Sequence, residues 1–287
     1  MRTSSPLTPA LALALLFPLS SCDRGADKPA AKDASAKAAD AKQAEPKDAN
    51  SAEPEPPAAT CPKADAERVS LMTEDSVELI ADHYSPGLVG APGIVLLHMI
   101  PPHHDLDNYP RAFIDQLVGA GFEVINVNRR GAPGSKGIAE QAYQGEKGKL
   151  DALAAVRFLQ DAPCKPNPAK LAIVGASNGT TSMVDYAVHA NTDDSAPLPA
   201  AMIFLSGGDY TEAQTKLADH LDTLAPIPSF LAYPAKEATW NEATKTLVEN
   251  KGPWRFEQFE PGAHGTKLFK TESDLAKMLT LWLEDAV

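Results

Sequence analysis

The chain has 287 residues, 44% of them hydrophobic, with 38 acidic against 26 basic side chains and a formal net charge of −12. That balance provides no basic patch for nucleic acid and no polybasic segment for an anionic membrane surface. The length is enough for one sizeable α/β core with residues to spare outside it.

The chain opens MRTSSPLTPALALALLFPLSSC. Arg2, an apolar run from Leu7 to Leu19 and small residues before Cys22 describe a secretory signal peptide over residues 1–21. The run is too short, and too interrupted by prolines, for a spanning helix. Leu19-Ser20-Ser21-Cys22 resembles the lipobox of bacterial lipoproteins. The resemblance implies cleavage before Cys22 and lipid on that cysteine. The protein would then be anchored to a membrane of the bacterial cell envelope, on its periplasmic or cell-surface face, without spanning it. From Asp23 to Thr60 there is no Val, Ile, Leu, Met or aromatic residue. Such a segment cannot bury enough apolar surface to offset its ordering entropy. Residues 22–60 are therefore expected to be a disordered Ala/Lys/Pro-rich tether, leaving 61–287 for the folded domain.

With Cys22 taken by the lipobox, Cys61 and Cys164 remain in a compartment where disulfides persist. A Cys61–Cys164 bridge is expected, the alternative being two separate buried thiols. RVSLMTEDSVELIADHYSP alternates apolar and polar residues on both sides of Glu74-Asp75, predicting an antiparallel hairpin. GIVLLHMI (93–100) is a continuous apolar run suited to a strand covered on both faces. Helical spacing follows over 108–120, with Gly121 as the stop. FEVINVN (122–128) is a second buried strand, and residues 139–160 form an amphipathic helix. KLAIVGAS is strand and NGTTSMVDYAVHA helix, with Ser177 at their junction. Beyond it come strand 200–207, a helical stretch near 211–224, strand 228–234, helix 240–251, strand 254–260 and a closing helix over 272–285. Strands alternating with helices imply a mainly parallel sheet covered on both faces. The short connections leave no room for a large cap domain.

Ser177 lies in Gly175-Ala176-Ser177-Asn178-Gly179, a G-x-S-x-G pattern between a buried strand and a helix. A nucleophile on such a turn faces the positive end of the helix, whose free N–H groups point at a reacting carbonyl. IVLLHMIPPHHD, GAGFEVINVNRRGAPGS and PGAHGTKLF add three more segments in order. Together they resemble the α/β-hydrolase family across Val69 to Asp285, with an N-terminal antiparallel hairpin and no large cap. Compact dienelactone hydrolase- and esterase-like members are the most similar. That group often uses a cysteine nucleophile, where this chain has Ser177.

The resemblance implies an order of nucleophile, acid, base. His264 is the only histidine after His220 and fits the base. The acid is less plain. The turn after PSFLAYP reads PAKEATW, with no Asp or Gly, and Glu237 falls at the matching offset. Asp209 in LSGGDY is the alternative. The oxyanion donors implied are the backbone N–H of Asn178 and that of Ile100, with Met99 as alternative. His98-Met99 departs from the His-Gly common at that point. His98 reads as structural, and His103 and His104 as loop residues near the site mouth, with no third ligand at metal spacing.

Residue chemistry and resemblance imply a serine esterase that needs no metal or organic cofactor. Its partner would be a small ester-like substrate. The unusual acid turn, Asn178 and the missing His-Gly also suit a second reading: a catalytically inactive surface lipoprotein of this fold with a binding role.

Overall fold

A computed structural model of the protein describes residues 61–287; the expected signal peptide, Cys22 and the expected tether lie outside the described residues. β1 (Ala64–Met72) and β2 (Glu78–Ser85) form the antiparallel hairpin. Its turn is closed by Thr73, whose hydroxyl oxygen accepts from the Val77 N–H at 2.9 Å. β3 (Pro92–Leu97), α1 (Arg111–Gly119) and β4 (Glu123–Asn128) follow. Next come α2 (Gly145–Asp161), β5 (Asn167–Ala176), α3 (Gly179–Ala190) and β6 (Ala201–Leu205). The chain continues through α4 (Leu221–Leu224), β7 (Ser229–Pro234), α5 (Ala238–Val248) and β8 (Trp254–Phe259). It closes with α6 (Leu268–Thr271) and α7 (Leu275–Ala286).

The eight strands lie in the order β1-β2-β4-β3-β5-β6-β7-β8. Only β1–β2 and β2–β4 pair antiparallel; the pairings from β4 to β8 are parallel. Alternation along the strands divides the core. Val95, Leu97, Ile173, Phe204 and Leu231 face α2, α3 and α5, whereas Ile94, Leu96, Val174, Ile203 and Phe230 face α1 and α7. Every side chain of β4, β6 and β7 is buried, which is why β6 and most of β7 read as apolar runs, while β4 buries Glu123, Asn126 and Asn128 among its apolar residues. The chain winds from β3 outward to β4 and then returns past β3 to β5. The C-terminal ends of β3 and β5 therefore flank a crevice where the winding reverses, the place such sheets use for ligands.

Two local details differ from expectation. Residues 211–224 do not form one helix; a 3-10 turn at Leu217–His220 precedes the single turn of α4. Gln214 Oε1 accepts from the Tyr210 and Thr211 N–H groups, and Asp185 Oδ1 accepts from the Thr215 N–H at 2.9 Å. Side chains thus take the backbone donors a helix would have used. Residues 139–143 are a 3-10 turn, with α2 starting at Gly145.

Cys61 and Cys164 are joined in a disulfide with Cα atoms 4.9 Å apart, tying the start of the domain to the loop before β5. Arg130, fully buried, donates from Nε to Asp151 Oδ1 at 2.7 Å and from Nη1 to Asp75 Oδ2 at 2.9 Å. This links the hairpin turn to α2. No described helix is long and apolar enough to cross a membrane.

Candidate active site

β5 ends at Ala176 and α3 begins at Gly179, leaving Ser177 and Asn178 in a tight turn. Ser177 has φ of +50°, a left-handed conformation that L residues other than glycine adopt at a cost of about 1–3 kcal/mol. The turn holds it there: the Ser177 N–H donates to Leu205 O at 2.7 Å, and Ser177 O accepts from the Thr180 N–H at 2.9 Å. The flanking glycines are required by close approach. A Cβ at Gly175 would stand 2.7 Å from Thr180 Cα, and one at Gly179 only 2.3 Å from Leu97 O. The G-x-S-x-G spacing is thus a steric consequence of pressing α3 against β3 and β5.

His264 follows β8 and precedes Gly265, whose φ of +59° turns the chain into a 3-10 turn. The Gly265 N–H donates to Ser206 Oγ at 2.9 Å, fastening the histidine loop to the end of β6. His264 Nε2 lies 2.6 Å from Ser177 Oγ, and its Nδ1 lies 2.8 Å from Glu237 Oε1. A carboxylate only accepts, so Nδ1 carries the proton and Nε2 is free to accept from the serine hydroxyl. Glu237 ends the 3-10 turn after β7 and stands at the N-cap of α5. Its carbonyl accepts from Asn241 Nδ2 at 2.8 Å, holding that turn.

Asp209, the alternative acid, is engaged elsewhere. Its carboxylate lies 3.5 Å from Lys216 Nζ and accepts from Trp240 Nε1 at 3.4 Å. It borders a separate cleft of about 340 Å³ lined by Leu217, Trp240 and Leu247.

The loop after β3 carries both candidate amides, Met99 and Ile100. The Met99 N–H is taken by Asn108 Oδ1 at 3.0 Å, so this alternative donor is occupied. Met99 O accepts from His98 Nδ1 at 2.7 Å, pointing into the core. In a trans peptide the next N–H points the opposite way, which turns the Ile100 N–H outward. The Asn178 N–H stands at the start of α3, where helical geometry leaves it without an intrahelical acceptor. His98 is fully buried, and its Nε2 accepts from the Arg129 N–H at 2.9 Å. Burial pulls its pKa down to about 3, which keeps it neutral. His103 is exposed, and His104 meets Asn108 Nδ2 at 3.2 Å. Among the described residues no group of three potential ligands surrounds either histidine.

Four residues here were not singled out from sequence. Asn108 and Ser206 hold the loop after β3 and the histidine loop. Tyr210 sets its ring edge-on to His264 at 6.4 Å between centroids and donates its hydroxyl to Ser206 O. Burial raises that phenol's pKa above its ordinary value. Arg129 lies beneath the turn, donating to Asn178 Oδ1 at 3.0 Å. Only Arg129 had a visible signal, a charged pair directly after a buried strand.

No protein-family profile matches the chain, and no curated protein matches it by sequence. Solved structures do resemble it. An esterase of Pyrococcus furiosus superposes with a TM-score of 0.60 at 15% identity, covering 78% of this chain and 92% of that one. Dienelactone hydrolase from Anabaena variabilis gives 0.58 at 15% identity, covering 78% and 99%. A thermostable carboxylesterase cloned from a metagenomic library gives 0.57 at 13%, covering 78% and 90%. With the strand order above, these establish the α/β-hydrolase fold, N-terminal antiparallel pair included.

Proposed function

We propose that the protein is an extracytoplasmic serine hydrolase that cleaves small carboxylic esters through an acyl-enzyme on Ser177. One observation carries the reading: Ser177 Oγ, His264 and Glu237 form an unbroken line of contacts at 2.6 and 2.8 Å, on a strained turn at the sheet's switch point.

Ser177 Oγ attacks the ester carbonyl carbon as its proton passes to His264 Nε2. Glu237 stabilises the imidazolium that forms. The tetrahedral oxyanion accepts from the Ile100 and Asn178 N–H groups. As the carbon–oxygen bond to the leaving group breaks, His264 returns the proton and the alcohol departs. Water then gives a proton to His264 and attacks the acyl carbon; the bond from that carbon to Ser177 Oγ breaks, His264 returns the proton to Oγ, and the acid is released. The chemistry needs no metal or organic cofactor. Solved structures of similar fold that are described as esterases support the substrate class. The Cys61–Cys164 bridge supports an oxidising compartment. Together with the Leu19–Cys22 sequence, it supports export and a lipid anchor at Cys22, with residues 22–60 as the tether.

The test uses the purified full chain with a fluorophosphonate probe and short nitrophenyl esters. Labelling and turnover are expected, and Ser177→Ala is expected to abolish both. A wild-type protein that is folded but neither labelled nor active would overturn the reading in favour of a silent binding role.

A further inference from the structure

Arg129 is fully buried. Its Nη1 donates to His98 O at 3.1 Å and to Asn178 Oδ1 at 3.0 Å. Its Nη2 donates to Ser182 Oγ at 2.8 Å and to Ala142 O. Its Nε has no partner. Among the described residues no carboxylate hydrogen-bonds to it: the buried Asp151 is bound to Arg130 and the buried Asp185 to the Thr215 N–H, and both act on its charge from further off. A buried guanidinium is expensive to desolvate and normally sits against a carboxylate. Here it sits instead against neutral acceptors from the two segments that carry the Ile100 and Asn178 amides.

Asn178 shows the same preference from the other side. It is the N-cap residue of α3, a position where an asparagine side chain usually accepts from the first turn's N–H groups. It makes no such bond, and its side-chain oxygen turns to Arg129. The first-turn N–H groups of Thr180 and Thr181 are taken by Ser177 O and Asn178 O, which leaves the Asn178 side chain to hold the turn from beneath. Arg129 also donates its backbone N–H to His98 Nε2, which fixes the His98 tautomer and hence the bond to Met99 O. That bond sets the Met99–Ile100 peptide with its N–H outward.

We propose that Arg129 is a positioning residue of the oxyanion hole. It ties the segments carrying both backbone donors into one rigid unit, and its charge, which no carboxylate among the described residues bonds, favours the anion that forms in front of them. The inference rests on the serine-hydrolase reading above. In a dry site a fixed charge of this kind acts on the transition state without reorganising.

Asn178→Asp separates this role from a merely structural one. A carboxylate opposite Arg129 strengthens the tie, so a structural role predicts retained kcat and an unchanged or raised Tm. The proposal predicts that neutralising the charge lowers kcat at least about tenfold with KM little changed, below the ~10²–10³ cost of losing a donor outright. Asn178→Ala, which keeps the charge but cuts the tie, is expected to lower kcat by a smaller factor. A boronic acid inhibitor, which forms a tetrahedral anion on the serine, is expected to weaken in parallel with kcat. Both variants change a turn residue and leave the buried arginine in place, and their melting curves check folding. Wild-type kcat and boronate affinity in folded Asn178→Asp would overturn the proposal alone. Absence of wild-type labelling and turnover would overturn the hydrolase reading, and this inference with it.

Discussion

Glutamate is one methylene longer than aspartate, so it meets the imidazole only if the backbone behind it is set back. The 3-10 turn at Ala235–Glu237 provides that setting, and Glu237 Oε1 stands 2.8 Å from His264 Nδ1. Glu237→Gln would let the side-chain amide donate to Nδ1 and favour the tautomer that cannot accept the serine proton. We expect kcat to fall by roughly 10³–10⁴ on steady-state ester hydrolysis, the scale of a wrong-tautomer defect. Asp209→Asn is expected to leave kcat within about twofold, because that carboxylate is occupied by Lys216 and Trp240. A large loss in Asp209→Asn with little in Glu237→Gln would reverse the assignment. That Ser177, His264 and Glu237 come together was legible in sequence because a strand-to-helix junction and chain order restrict where such groups can stand. Asn108, Arg129, Ser206 and Tyr210 were not, because each acts across a tertiary contact whose partner lies on another element.

At the level of elements, the parallel strands were readable because burial on both faces demands continuous apolar runs. The segment 211–224 misled because Gln214 and Asp185 capture backbone donors, a contest invisible to periodicity. The Arg130 hub was likewise hidden, although it fixes how the β1–β2 hairpin meets α2. Asp151→Ala would leave Arg130 buried with only its partly exposed Asp75 partner. A loss of about 3–5 kcal/mol is expected in urea unfolding, as for other broken buried pairs. Asp75 gives the hub a pH signature. Its hydrogen bond from Arg130 holds its carboxyl well below the ordinary carboxylate range. The folded value is depressed, so the contribution is complete above the unfolded value of about 4 and disappears as pH falls through the folded value. The stability gap between wild type and Asp75→Asn should therefore be constant from about pH 5 to 7 and narrow progressively below about pH 4. A gap that persists or widens in acid would show that the pair contributes nothing through charge.

On the scale of the whole molecule, the disulfide and the Ser177–His264–Glu237 cluster occupy opposite ends of β5. Cys164 precedes the strand and Ser177 follows it, and the ten residues of β5 alone span roughly 30 Å. The bridge closes a loop with a sequence separation of 103, restricting the unfolded chain far more than the folded one. Reduction should therefore act on the fraction folded and leave the geometry at Ser177 alone. Cys61→Ser/Cys164→Ser is expected to lose about 2–5 kcal/mol in chemical denaturation. At a temperature where it remains folded, its kcat and KM should match those of the wild type. The hydrogen bonds at Ser177, His264 and Glu237 should persist without the bridge, since none of them passes through the loop before β5. A double variant that keeps its stability would mean that the hydrophobic faces around β2 and α2 already fix the domain's N-terminal edge. One that stays folded but loses turnover would mean that β5 transmits strain along its whole length to the nucleophile turn.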